Sequence, residues 1–229
     1  MTNLITRFCH SSIGKKWIVA FTGLVLIAYV IGHMIGNLQI FIGRDRLNSY
    51  AVMLHSMGPL LWAIRAFLLA AFVVHILTTI QLTVENRAAR PARYAVKEDR
   101  QAGSASKTMI VSGLIVLCFV VYHLLQFTTE TINPESRSLV DSQGRHDVYA
   151  MVILGFSNHY VASFYILGLF LLCLHLSHGF QSFLQTIGAN SKKVAPALDM
   201  GSRVLAWVIF VGYTSIPVAV WLGLLHARP

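Results

Sequence analysis

Residues 17–43 read WIVAFTGLVLIAYVIGHMIGNLQIFIG and contain no charged side chain. A helix needs about 20 consecutive apolar residues to cross a hydrocarbon core of about 30 Å. This run exceeds that length, and it is also longer than the apolar segment of about 7–15 residues in a cleavable signal peptide. We therefore predict a membrane-spanning helix that is retained in the mature chain.

Four further uncharged or nearly uncharged runs follow along the chain. Of the 229 residues, 55% are hydrophobic and only 12% are charged, whereas soluble domains carry about 25% charged residues. The predicted fold class is an all-α integral membrane protein with one membrane domain and five transmembrane helices. Residues 148–158 are predicted to lie along the membrane surface, and Pro217 is expected to kink the last helix. The predicted helices cover approximately 17–42, 59–84, 108–129, 160–186 and 204–226.

The distribution of lysine and arginine predicts the orientation of the chain. Twelve of these residues lie in the N-terminal segment and in the second and fourth loops, and five lie in the segments on the opposite side. Cytoplasmic loops carry the excess of positive charge. We therefore predict a cytoplasmic N-terminus and an external C-terminus. Arg65 lies just inside the external end of the second predicted helix.

The remaining composition excludes several classes of protein. The net charge of +9 is typical of basic loops that face anionic lipid, and no extramembrane segment is long enough to bind a nucleic acid. The three cysteines have no metal-ligand spacing and are interpreted as free thiols. No internal repeat and no glycine-rich phosphate loop is evident, so nothing indicates a nucleotide site.

Four histidines lie well inside predicted helices, one each in the first four: His33, His75, His123 and His175. Polar groups in lipid are costly, so an intramembrane histidine is a candidate functional residue. A single histidine is more often a hydrogen-bonding partner of a neighbouring helix. Four on successive helices favour a shared site.

The depths of these histidines sort them into two pairs. His33 and His123 lie 17 and 16 residues after Lys16 and Lys107, about 24–25 Å from the cytoplasmic side. His75 and His175 lie at a similar depth counted from the external side. Two layers of two imidazoles on non-adjacent helices predict two bis-histidine haems in a four-helix bundle.

The chemistry of the site agrees with this interpretation. A haem iron with two imidazole ligands transfers electrons and has no free axial position for oxygen. A zinc site is a poorer match because zinc takes several ligands from one locality, usually with a carboxylate or thiolate among them. No aspartate or glutamate lies in the middle of a predicted span. Gly32 and Gly36 flank His33 and would allow a helix or a porphyrin face to approach the backbone closely.

Several segments resemble the single-chain dihaem cytochrome b anchor of succinate:quinone oxidoreductases, and the resemblance extends over essentially the whole chain. The segments are VIGHMIGN at 30–37, VVH at 73–75, VVYH at 120–123, LHLSHGF at 174–180 and the N-terminal HSSIGKK at 10–16.

The resemblance implies a function and a set of partners. Such an anchor is the cytochrome b subunit of succinate dehydrogenase or fumarate reductase and does not itself act on succinate. It binds a flavoprotein subunit and an iron–sulfur subunit in a bacterial cytoplasmic membrane, and two b haems pass electrons to a quinone, here expected to be menaquinone. The implied ligand pairs are His75 with His175 nearer the iron–sulfur subunit, and His33 with His123 at the distal haem. A higher oligomer of the complex is a further candidate assembly.

One position departs from the family pattern. Menaquinol-oxidising dihaem fumarate reductases carry a glutamate two residues before the fourth-helix ligand, whereas this chain has Cys173 there. The departure favours succinate oxidation. His178, one turn beyond His175, is not expected to be an axial ligand, and it is a candidate contact to a propionate or to the partner subunit.

Other polar residues are candidate contacts at the two ends of the bundle. Arg65 suits a haem propionate, because a guanidinium binds a carboxylate well, although it could also extend towards the interface as a snorkelling side chain. Tyr50, His55 and His159, together with Arg46 and Asn158, are candidate quinone contacts on the external side. At the cytoplasmic end the candidates are His10, Ser11, Ser12 and Lys15, with Arg87, Arg90 and Arg93 as a docking or lipid-facing surface.

Two other functions remain open from the sequence. The chain could be a dihaem cytochrome b of another respiratory enzyme, such as a hydrogenase or a formate dehydrogenase. It could also be a haem-free transporter or scaffold in which the histidines form interhelical hydrogen bonds or relay protons.

Overall fold

The computed structural model describes residues 4–89, 104–189, 191 and 193–227. Within these residues the chain is helical and has no β-strand; one isolated bridge pairs Val140 with His146. Two 3-10 turns, Leu38–Phe41 and Pro134–Ser138, lie between helices. The α-helices are α1 (Leu4–His10), α2 (Ser12–Asn37), α3 (Arg44–Ser56), α4 (Pro59–Ala88), α5 (Ser104–Phe127), α6 (Val148–Ser157), α7 (His159–Thr186) and α8 (Ala195–Trp221).

Five of these helices are long and apolar enough to cross a membrane: α2, α4, α5, α7 and α8. The prediction of an all-α, multi-pass membrane protein is therefore confirmed. Each predicted span overlaps one of these helices. Arg90, Arg93 and the other basic residues at 90–103 lie outside the described residues, as do Lys192 and Arg228.

The helix ends differ from the predicted ranges, because an uncharged window marks the apolar part of a helix and not its caps. The first span begins at Ser12, where the Ser11 hydroxyl accepts a hydrogen bond from the Gly14 amide at 3.0 Å. The last begins at Ala195, nine residues before the predicted start. It ends at Trp221, two residues before Gly223, whose φ of +66° favours glycine.

Neighbouring spans run antiparallel and place α2 and α5 in the same direction. The start of α2 lies beside the end of α4, where Lys15 forms an ion pair with Glu85. Phe119 of α5 packs against Gly168 of α7. α8 completes the bundle by contacting α7 along its length, and its Tyr213 hydroxyl donates to the Val30 carbonyl of α2 at 2.8 Å.

The helix at Val148–Ser157 is enclosed by other parts of the protein. Seven of the ten residues of α6 are buried, and the expectation that residues 148–158 lie along the membrane surface stays a prediction. The helix contacts α3, α5, α7 and α8. Its sequence is apolar on all sides, which is typical of a helix that other protein segments surround.

A polar network joins α3 to the segment before α6 at the end of the bundle where α2 finishes. Asn48 is fully buried and donates to Asp141 and Asp147, at 3.0 Å in each case. Arg145 donates to Asp141 at 2.7 Å through Nε. The Arg145 guanidinium, together with Asn48, holds the pKa of the Asp141 carboxyl well below its usual range.

Candidate haem-binding site

A cavity of about 1310 Å³ lies among α2, α4, α5 and α7. Ordinary ligand pockets have volumes of about 300–1,000 Å³, so this space exceeds the needs of one small molecule. α4 lines it and, although apolar and 30 residues long, has no buried residue. Protein interiors are normally close-packed. α4 packs against α2, and its face towards the cavity is left uncovered by protein.

His75 enters the cavity from α4 and meets α2 at Thr22 and Gly23. Its Nδ1 lies 3.0 Å from the Thr22 hydroxyl. A Cβ atom at Gly23 would lie 3.3 Å from Cε1 of the ring, so the absence of a side chain there lets the imidazole lie close to α2.

His175 enters the cavity from α7 and repeats this arrangement on α5. Its Nδ1 lies 3.2 Å from the Ser112 hydroxyl. A Cβ atom at Gly113 would again lie 3.3 Å from Cε1 of the ring. The two imidazoles therefore have equivalent surroundings on two helix pairs, and the remaining ring nitrogen of each is left for another partner.

His33 and His123 form the second pair, and their ring centroids lie 5.9 Å apart with planes at 81°. Each ring stacks on an aromatic side chain four residues earlier in its own helix, His33 on Tyr29 and His123 on Phe119. The hydroxyl of Tyr165 lies 3.3 Å from Nδ1 of His123. His33 lines the cavity, whereas His123 contacts His33 from beside it.

The two pairs lie at different levels of the bundle. Thr22, which contacts His75, precedes His33 by eleven residues in the same helix. At 1.5 Å per residue the levels are about 16 Å apart. This geometry agrees with the two layers that depth counting predicts.

His33, His75 and His175 line the cavity and His123 adjoins it through His33, and these imidazole nitrogens are donors that fit a haem iron. Imidazole nitrogens bind metals at about 2.0–2.1 Å, so two axial nitrogens are about 4 Å apart and their ring centroids lie further out; the 5.9 Å at His33 and His123 is of this order. Gly32 and Gly179 line the cavity, and a Cβ atom at either position would meet nothing within 4 Å. That open space, between apolar walls, is what a flat macrocycle requires. Among the described residues, no group of three or more histidine, cysteine or acidic side chains could hold a metal ion.

One basic residue lines the cavity at each end. Arg65 lies ten residues before His75 and so about level with His33, and its guanidinium is 5.1 Å from the centre of the Trp62 ring. Lys16 lines the end next to the His75/His175 pair. The sequence indicated Lys15 as a candidate contact at this end of the bundle, but Lys15 is buried in its ion pair with Glu85.

The candidate quinone contacts are not brought together. Tyr50 lines the cavity and packs against Gly36. His55 is exposed, with Nδ1 2.8 Å from the Ala51 carbonyl, and His159 contacts Trp221 of α8, where their ring centroids are 5.3 Å apart.

The other candidate contacts lie outside the cavity. His178 is half-buried and does not line it. Ser11 caps α2, and Asn158 caps α7 by accepting from the Tyr160 amide at 2.9 Å. His10, Ser12, Arg46 and Arg87 are exposed.

A repeat that the sequence interpretation missed explains why the two halves match. Residues 22–33 read TGLVLIAYVIGH and residues 112–123 read SGLIVLCFVVYH. Each segment carries a hydroxyl, a glycine, an aromatic ring and a histidine at the same spacing. The structure gives each position the same contact in both halves. Aligning the histidines of the first and third spans would have revealed this signal.

Comparisons with known proteins do not assign a family. No protein-family model, no curated protein and no solved structure matches this chain.

Proposed function

We propose that this chain is a dihaem cytochrome b that transfers electrons within a membrane. His75 with His175 and His33 with His123 would each hold one haem iron. The observation that carries the proposal is a single apolar cavity with histidines at two levels about 16 Å apart. Each haem, when bound, would supply a one-electron redox centre.

The chain's own residues have three tasks in this function. The apolar walls would exclude water from the redox centres. The glycines at 23 and 113 set the approach of His75 and His175 to their neighbouring helices. Arg65 and Lys16 would bind carboxylates at opposite ends of the cavity, because a charge-assisted hydrogen bond is about twice as strong as a neutral one.

We further propose that the chain is the membrane anchor of a succinate dehydrogenase, passing electrons from an iron–sulfur subunit to a quinone, with menaquinone as the expected acceptor. The support is the resemblance of the histidine segments and the N-terminal HSSIGKK to such anchors. Cys173 at the position of the fumarate-reductase glutamate favours succinate oxidation. The excess of basic residues beside the N-terminus supports a cytoplasmic docking face.

Purification of the tagged chain in mild detergent, from membranes of cells that make the whole complex, tests this assignment. We expect covalent or tightly bound flavin, iron–sulfur clusters and succinate-dependent reduction of a quinone in the purified complex. The matched preparation carries His175→Ala, which should keep the flavin and lose quinone reduction.

Three other outcomes are informative. A dihaem preparation with hydrogenase or formate dehydrogenase subunits would retain the cytochrome and reject the succinate assignment. A dihaem preparation without partners would leave the anchor role unsupported. A preparation without haem would favour the transporter or scaffold.

A further inference from the structure

The hydroxyl group of Thr22 is placed to act towards His75 as an acceptor. A threonine hydroxyl has one hydrogen and two lone pairs. The Thr22 hydroxyl donates that hydrogen to the Ile18 carbonyl at 2.7 Å, with the Val19 carbonyl at 3.2 Å. With that hydrogen directed to the carbonyl, a lone pair of the hydroxyl is left for the 3.0 Å contact to Nδ1 of His75, and the ring is assigned as the donor.

The hydroxyl group of Ser112 is engaged in the same manner. It lies 3.0 Å from the Met109 carbonyl, to which it can donate, and it is assigned as the acceptor from Nδ1 of His175 at 3.2 Å. In both rings the proton then lies on Nδ1, because a neutral imidazole carries only one N–H. The lone pair of Nε2 is left for a metal.

We propose that Thr22 and Ser112 are positioning residues that fix the Nδ1–H tautomer and the ring orientation of His75 and His175. The inference rests on the proposed function only in naming the metal as haem iron. A hydrogen bond accepted from the distal N–H makes an imidazole a more basic ligand, and a more basic ligand stabilises ferric over ferrous iron. The two hydroxyls therefore lower the reduction potential of the haem held by this pair.

The tautomers of His33 and His123 are not fixed in this manner. Tyr165 lies 3.3 Å from Nδ1 of His123, and within the described residues its hydroxyl donates to no carbonyl, so it can give or take the proton. His33 is held by stacking on Tyr29. The effect of the hydroxyls should thus be confined to one of the two haems.

The test uses the purified full-length complex and follows each haem by redox titration and by low-temperature electron paramagnetic resonance. Thr22→Val and Ser112→Ala remove the acceptors. Thr22→Ser restores a hydroxyl. Thr214→Val is the matched control, because Thr214 is equally buried and donates to the Phe210 carbonyl at 2.6 Å but forms no hydrogen bond with a histidine of the described residues.

We expect Thr22→Val and Ser112→Ala to raise the potential of the His75/His175 haem, shift its resonance signal and weaken its binding about 10–100-fold. Thr22→Ser and Thr214→Val should resemble the unaltered protein. The inference is overturned if both haems titrate normally in Thr22→Val and Ser112→Ala, or if Thr22→Ser is as impaired as Thr22→Val. Absence of haem from the unaltered complex would instead reject the proposed function, so the two failures are distinguishable.

Discussion

The two histidine pairs share one bundle but are held by different forces. His75 and His175 are fixed by hydrogen bonds to hydroxyls on the neighbouring helix and by glycines that admit the ring. His33 and His123 lie in an aromatic cluster and contact each other across the bundle. Hydrogen bonds specify which nitrogen is free, whereas stacking specifies only the plane of the ring.

This difference follows from the two repeated segments, residues 22–33 and 112–123. The hydroxyl and glycine at the start of each repeat serve a histidine on the next helix, and the aromatic residue and histidine at its end serve the other pair. One segment, used twice, thereby builds half of each site. The two sites should respond separately to substitution.

The largest expected effect is the loss of one haem when a ligand is removed. His75→Ala and His175→Ala should each abolish the same haem, and His33→Ala and His123→Ala should each abolish the other, because a haem with one axial ligand is weakly held in these pairs. Haem content and the redox titration of each variant provide the measurement.

His226→Ala is the control for these variants, since His226 is exposed and lies outside the cavity. It should keep both haems. A result in which His75→Ala and His123→Ala remove the same haem would reject the pairing.

A second prediction concerns the two glycines that face open space. A Cβ atom at Gly32 or Gly179 would meet no protein atom within 4 Å, so valine at either position should be compatible with the fold. If haems fill the cavity, Gly32→Val should lower the content of the His33/His123 haem severalfold. Gly179→Val should lower the content of the His75/His175 haem to a similar extent. The measurement is haem content per folded chain.

Gly201→Val is the matched control, because Gly201 also has open space but lies on α8 outside the cavity. Full haem content in all three valine variants would mean that the cavity holds something else.

Much of this architecture could be predicted from the sequence, because burial in lipid demands long apolar runs and makes a polar exception conspicuous. The five spans were predicted from the apolar runs, and the four histidines stood out as the polar exceptions within them. The hydroxyl–histidine contacts could not, since Thr22 and Ser112 are common in helices and become informative only when the neighbouring helix is known. The burial of α6 against other helices could not be predicted either, because an apolar segment of ten residues reads alike on a membrane surface and in a core.

The roles of Lys15 and Lys16 show the same limit at a finer scale. The two residues are adjacent and chemically identical, but one is buried against Glu85 and the other lines the cavity. A helix rotates by about 100° per residue, so only the packing of α2 decides which lysine faces which partner.

A smaller effect is expected at the two basic residues of the cavity. Arg65→Gln should lower the potential of the His33/His123 haem, and Lys16→Gln that of the His75/His175 haem, because removing a positive charge destabilises the more reduced state. Exposed ion pairs contribute about 0.2–1 kcal/mol, so the shifts should be small. Redox titration of both variants measures these shifts. Equal shifts of both haem potentials in either variant would contradict the placement of Arg65 and Lys16 at opposite ends of the cavity.

The smallest effect concerns the polar network that joins α3 to the segment before α6. The pKa of Asp141 is lowered by Arg145, so the stabilisation is present above the unfolded value of about 3.9 and is lost as pH falls towards the folded value. The thermal unfolding temperature of the detergent-solubilised protein should fall below about pH 4. Asp141→Asn should lower this temperature at neutral pH and make it less sensitive to acid. An unchanged pH profile in Asp141→Asn would exclude this carboxylate as the cause.

The haem content of the purified, unaltered protein tests the central claim most directly. Reduced-minus-oxidised visible spectra, combined with quantification of the extracted pigment, should give two b-type haems per chain that titrate at separate potentials. A protein that is folded and monodisperse but shows no reducible haem would contradict the account.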